Sequence, residues 1–270
     1  MTRRVVILSP GGSFLDDLLA LLVRRGTRVQ GVVLYDSRLS RAGASASILL
    51  RLRTSAMVLV RWMRRQRRAD VRGAAERLVV TRTLNGGGTA RALRRLRPDV
   101  LVLARCGLVK PHVLAIPAEG VVNVHPGLLP WIRGGSPVGN SLLRGVPLGA
   151  TAFRVDAGID TGPMLRRRLV DVGGAETEAA LRDGLYRLWL EMTAELIEAA
   201  VAGPLPSGTP HTGRFPLCRD LKGSPEQPAV DAAVRQGAAR TLLDRWRPLC
   251  DPEDLSLPAD AEADFLPRAG

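Results

Sequence analysis

Short unbroken apolar runs alternate along the chain with stretches in which apolar residues recur every three or four positions. The first kind reads as buried strand, the second as helix with one buried face. Residues 5–9 (VVILS) are the first run, Pro10-Gly11-Gly12 a turn, residues 13–25 a helical stretch and residues 29–35 a second run. Strand, turn, helix and strand in that order open a doubly wound sheet. The alternation resumes with a short strand at 78–80, a helix at 88–96, a buried strand at 99–103, a short helix at 111–116 and a strand at 121–124. A helix at 136–143 and strands at 150–155 and 164–172 follow. Residues 177–201 predict a long amphipathic helix with Leu181, Leu185, Leu188, Met192 and Ile197 near one face. The expected fold is α/β: a Rossmann-like, mostly parallel twisted sheet with helices on both faces.

Two regions break this pattern. Residues 38–76 interrupt it with eight arginines between Arg41 and Arg68 and no acid among them, interleaved with apolar residues such as Leu49, Leu52, Met57, Val60 and Trp62. No charge-free run there approaches the roughly twenty residues of a membrane span. The insert reads as one or two basic helices packed over the core. An acceptor lid and a surface for anionic membrane are the other readings. After Gly203 the chain turns rich in Pro and Gly, predicts a basic helix at 231–246 and ends in an acidic stretch at 251–264. The organisation expected is a catalytic domain over 1–203 and a partly irregular extension over 204–270.

Composition narrows the function. Hydrophobic residues make up 46% and aromatics 4%, an aliphatic core of the α/β kind. The net charge of +13 suits anionic partners, although arginine-rich usage in general accounts for many of these residues. Three scattered cysteines give neither a disulfide framework nor a zinc knuckle, so a reducing cytoplasm is the expected compartment. The apolar run before Pro10 is too short for a secretory leader and reads as the first strand.

Candidate chemistry concentrates at "NVHPGLLP", which begins at Asn123. Strand alternation places Asn123 and His125 on one face. Both stand at the carboxyl end of a strand, where open α/β sheets carry their sites. An amide there can stabilise an oxyanion and an imidazole can move a proton. A structural histidine beside Pro126 is the alternative. Downstream, "VDAGIDTGPML" sets Asp156 and Asp160 in a Gly-punctuated loop, where an Asp can orient a histidine and raise its pKa, or simply build turns. Gly11, Gly12 and Ser13, between the first strand and helix, are candidates for acceptor or phosphate binding. A capping box from Ser13 to Asp16 explains the serine without a ligand. Three histidines without a clustered acid offer no metal site.

"NVHPGLLPWIRG" followed by "GATAFRVDAGIDTGPML" resembles the folate-dependent formyltransferase family, whose members act on glycinamide ribonucleotide, methionyl-tRNA or sugar nucleotides. The resemblance covers roughly residues 5–201 apart from the insert. It implies that Asn123, His125 and Asp160 are the catalytic trio. It implies that residues 104–114 line a folate pocket, with the backbone of Gly107, Leu108 and Val109 toward the pterin and Leu114 as an apolar wall. Val155, Asp156 and Ala157 supply its other side. The formyl donor implied is 10-formyltetrahydrofolate: an amine attacks its formyl carbon, Asn123 and protonated His125 stabilise the oxygen, and Asp160 holds His125. Gly127 departs from the family's usual Ser or Thr.

The function expected is transfer of a formyl group to an amine of a small or carrier-bound metabolite, such as a sugar nucleotide or biosynthetic intermediate. A formyltetrahydrofolate hydrolase and a catalytically silent ligand-binding protein are the alternatives. Against the methionyl-tRNA enzyme stands the stretch after Gly203, which lacks the strand pattern of that enzyme's C-terminal barrel. Residues 210–221 are similar instead to the hairpin-like extension of the sugar enzymes. Neither nucleic acid nor membrane is expected as a partner. A homodimer is one arrangement the sequence leaves open.

Overall fold

The computed structural model describes residues 3–36, 70–175, 177–211 and 215–247. Most of the predicted basic insert, at 38–69, and the acidic stretch at 251–264 lie outside the described residues. The chain forms two compact units. The first runs to Asn123 and includes Thr193–Leu205. The second covers Val124–Met192 and resumes at Pro206.

In the first unit, β1 (Val5–Ser9), β2 (Val29–Tyr35), β3 (Ala75–Thr81), β4 (Val100–Leu103) and the start of β5 (Val121–His125) pair in parallel, in the order β3-β2-β1-β4-β5. The unbroken runs VVILS and VLVL supply β1 and β4 because a central parallel strand is buried on both faces, and every residue of each is buried. The helices here are α1 (Ser13–Arg24), α2 (Asp70–Ala74), α3 (Gly87–Leu96) and α4 (Pro111–Leu114). On α1, Phe14, Leu15, Leu18, Leu19 and Leu22 form one buried stripe. Arg4 clamps the starts of β1 and β4: its backbone N–H donates to Asp99 at 2.7 Å and its guanidinium at 2.6 Å. That guanidinium holds the Asp99 carboxyl below its ordinary range.

The strand order reverses direction at β1, which pairs with β2 on one side and β4 on the other. The loops leaving the carboxyl ends of β1 and β4 therefore flank a topological switch point, where open sheets bind ligands.

The second unit takes the end of β5, α5 (Pro137–Arg144), β6 (Gly149–Arg154), β7 (Met164–Leu169), most of α6 (Glu178–Ala202), α7 (Gln227–Arg235) and α8 (Ala238–Trp246). β6 and β7 pair antiparallel, with a register shift at Ala152/Phe153. One core cluster joins Leu142, Leu148, Leu181, Leu185, Val230 and Leu243, and another joins Leu128, Trp131, Ile132, Cys218 and Trp246. On α6, Leu181, Leu185, Met192 and Ile197 are buried as the spacing predicts. Trp189, on the same helix, donates from Nε1 to the Val124 carbonyl at 2.8 Å and so fixes the end of β5.

Three local expectations need correction. Ser13 is no helix cap: Gly12, at φ 107, takes the cap position, makes no side-chain bond, and accepts the Asp16 N–H at 3.1 Å. The single helix predicted at 231–246 is two, because Gly237 at φ 69 breaks it in the left-handed region. The strand predicted at 164–172 stops at Leu169. Among the described residues no helix is long and apolar enough to cross a membrane.

Candidate active site

β5 ends on His125, whose residue exposure is only 6%. Its Nδ1 stands 3.5 Å from Asp160 Oδ2, and its Nε2 lies 2.9 Å from the Ile132 carbonyl oxygen. The same Asp160 oxygen accepts the Gly134 N–H at 2.9 Å. Asp160 has φ 52, an uncommon conformation for a residue with a side chain, so its neighbours hold it there. Arg133 does much of that holding. Its Nε and Nη2 donate to the Ile159 carbonyl at 3.1 and 2.9 Å, and its Nη1 donates to the Phe215 carbonyl at 2.8 Å.

The loop before Asp160 is tightly wound. Asp156 Oδ1 accepts the Gly158 N–H at 3.0 Å and the Thr161 hydroxyl at 2.6 Å. A Cβ on Gly162 would stand 1.7 Å from the Arg154 carbonyl oxygen, so only glycine fits there. On the other side, Thr151 Oγ1 donates to the Gly127 carbonyl at 2.8 Å and accepts the Leu129 N–H at 3.0 Å, pinning the turn after His125.

Burial pushes the His125 imidazole below its ordinary range. The Asp160 charge and the Ile132 carbonyl act in the opposite sense without prevailing. The expected rise from a neighbouring carboxylate is thus outweighed by loss of water. Burial lowers the His211 imidazole as well, and the Arg133 guanidinium adds to that shift.

Asn123 lies on β5 two residues before His125 and pairs in register with Leu103. It is half-buried. The loop predicted to face a pterin leaves the carboxyl end of β4. Asn85 pins it: its Nδ2 donates to the Leu108 carbonyl at 2.9 Å, and its Oδ1 accepts the Lys110 N–H at 2.7 Å. The Gly107 N–H donates to the Tyr35 hydroxyl at 3.3 Å. Leu108 is left 61% exposed, Val109 is buried and Leu114 is half-buried. In the other predicted segment Val155 is half-buried while Asp156 and Ala157 are exposed. Gly11 and Gly12 are half-buried and Ser13 is exposed, but the Gly11 N–H is already donated to Ser9 Oγ at 3.0 Å.

His125 and Asp160 are therefore brought together within one unit, and the supports that keep them so were not predicted individually. Arg133 and Gly134 stood in the quoted motif, which was their only signal. Asn85 and Tyr35 carried none.

Residues 2–188 match the family model described as formyl transferase. The chain is 38% identical over 125 residues to a methionyl-tRNA formyltransferase of Aromatoleum aromaticum, a match covering 46% of this chain and 40% of that protein. The chain thus spans well under half the length of the curated relative it matches. Among solved structures, a sugar N-formyltransferase from Shewanella sp FDAARGOS_354 superimposes with a TM-score of 0.55 at 14% identity, covering 87% of each chain. The formyltransferase PseJ from Anoxybacillus kamchatkensis, solved with a UDP-linked formamido sugar and tetrahydrofolate, gives a TM-score of 0.51 at 16% identity over 87% of this chain and 99% of that one. At these identities the structures share the fold.

Proposed function

We propose that this chain, which belongs to the formyl transferase family, moves a formyl group from 10-formyltetrahydrofolate to an amine of a small or carrier-bound metabolite. The observation that carries the reading is the buried His125–Asp160 pair at the end of β5, with Asn123 two residues upstream on the same strand.

The residues suit that chemistry. The donor, when bound, supplies an electrophilic formyl carbon. The Asn123 amide donates to the formyl oxygen as charge grows on it, a contribution of about 3–4 kcal/mol for one well-aimed donor. The new C–N bond forms as the bond from the formyl carbon to the donor nitrogen breaks, and a proton passes from the amine to that nitrogen. His125 can relay that proton, and Asp160 stabilises the ring while it is charged. Leu108, exposed on a loop pinned by Asn85, offers an apolar contact beside fixed backbone groups at the switch point. That combination fits a flat heteroaromatic ring, and we assign the neighbouring Gly107, Val109 and Leu114 to the same ligand. We assign Val155, Asp156 and Ala157 to the folate and Gly11, Gly12 and Ser13 to the acceptor.

The net charge of +13 favours an anionic acceptor, such as an amino sugar nucleotide. The test is an acceptor screen with 10-formyltetrahydrofolate, using amino sugar nucleotides, glycinamide ribonucleotide, methionyl-tRNA and a no-amine control. Tetrahydrofolate release that needs an anionic small amine, with the product heavier by one carbonyl unit, supports the reading. Release without amine makes the chain a hydrolase, and release only with methionyl-tRNA overturns the acceptor class.

A further inference from the structure

The His125 ring rests against backbone. Its Nε2 is at full hydrogen-bond distance from the Ile132 oxygen, 2.9 Å, while its Nδ1 contact with Asp160 is looser at 3.5 Å. A carbonyl only accepts, so the shorter contact requires the proton on Nε2.

Residue 127 makes that seat available. A Cβ on Gly127 would stand 2.7 Å from His125 Nε2 and 2.8 Å from the Ile132 oxygen, against both partners of the hydrogen bond at once. Gly127 is not among the residues of positive φ, so its backbone accepts a side chain and only space forbids one. The surrounding main chain cannot yield easily. Thr151 bonds the Gly127 carbonyl and the Leu129 N–H, and the Ile132 N–H donates to the Leu128 carbonyl at 2.8 Å. Turning the imidazole relieves the contact with His125, and the Ile132 carbonyl has to shift as well to relieve the other.

We propose that Gly127 is a positioning residue: by lacking a side chain it admits a retracted His125, with Nε2–H donated to Ile132, from which the ring must turn to present Nε2 to a formyl group. The role in transfer rests on the assignment of His125 to catalysis; the retracted ring does not. The retracted bond belongs to the resting state alone, so it raises the barrier by what it contributes. Filling the seat lowers that barrier.

The experiment is nitrogen-15 and proton NMR of histidine-labelled protein, wild type and Gly127→Ala, beside turnover of both. The chain has three histidines, and a His125→Gln spectrum identifies the signals. In the wild type His125 Nε2 carries a proton protected from exchange. In Gly127→Ala that proton exchanges about tenfold faster or more, and kcat rises about fivefold, the weight of one net hydrogen bond. A bare Nε2 in the wild type, unchanged exchange in the variant, or lost protection with a fall in kcat overturns the proposal. If the variant does not fold, the wild-type spectrum decides whether the ring is retracted, and a bare Nε2 there overturns the proposal. If the wild type transfers no formyl group to any acceptor, the functional reading fails, and the two spectra still decide whether Gly127 seats the ring.

Discussion

Asp160 Oδ2 faces two partners: His125 Nδ1 at 3.5 Å and the Gly134 N–H at 2.9 Å. The backbone donor fixes the carboxylate, so the histidine meets a charge that does not have to be gathered before reaction. Asp160→Asn removes the charge and keeps the volume. It is expected to lower kcat by about 10²-fold or more, with His125→Ala losing about as much, because the pair manages one proton. Thermal melting of Asp160→Asn should stay near the wild type, while His125→Ala, which empties a buried site and leaves the Ile132 carbonyl without its donor, should still fold but melt lower. Steady-state kinetics and calorimetry check this, and near-full turnover in either variant contradicts the assignment.

The depressed His125 pKa has a consequence for stability. Its folded value lies below the unfolded value of about 6.5. As pH falls, the unfolded chain binds the proton first, so this contribution is intact above about pH 6.5 and is lost on acidification below it. His211 acts in the same direction. Urea unfolding from pH 8 to pH 5 should show stability falling below about pH 6.5. His125→Gln should reduce that slope without abolishing it. A slope identical in the variant removes His125 from the account.

Arg133 binds the Asp160 loop through the Ile159 carbonyl and the later segment through the Phe215 carbonyl. Arg133→Ala is expected to lower kcat by about tenfold or more while leaving folate affinity within a few fold, since it disturbs Asp160 placement. Lysine should not restore activity, because one ammonium cannot reproduce the fork. Full activity in Arg133→Lys argues for a simple charge effect instead.

Gly162→Ala places a methyl 1.7 Å from the Arg154 carbonyl oxygen. Backbone cannot move aside cheaply, so the change should cost about 1–3 kcal/mol and disorder the loop bearing Asp160. Denaturant titration measures the first effect and kcat the second. An unaltered midpoint means the loop relaxes more freely than its hydrogen bonds suggest.

The central strands were legible because a parallel strand buried on both faces leaves an uninterrupted apolar run, and β1 and β4 are such runs. That Asn123 and His125 lie on one strand was legible from their spacing. Other features depend on backbone conformation that side-chain identity does not encode locally. Gly12 caps α1 at φ 107, which displaced the capping reading of Ser13, and Gly237 divides the last helix. Arg133 bonds carbonyls distant in sequence, and Asn85 pins a loop more than twenty residues away. No periodicity announces such contacts. The direction in which the His125 pKa moves is not local either. A nearby acid can be guessed from a motif, but the depth of burial that outweighs it comes from the tertiary packing.

The central claim is tested most directly by mixing the protein with carbon-13 formyl-labelled 10-formyltetrahydrofolate and an amine acceptor, then following the label in wild type, Asn123→Ala and His125→Ala. The account predicts that the label moves to the amine nitrogen in the wild type, only when the amine is present, and that both variants slow this by about 10²-fold or more. Label that appears as free formate at the same rate with and without amine, or transfer that survives in the His125 variant, would contradict it.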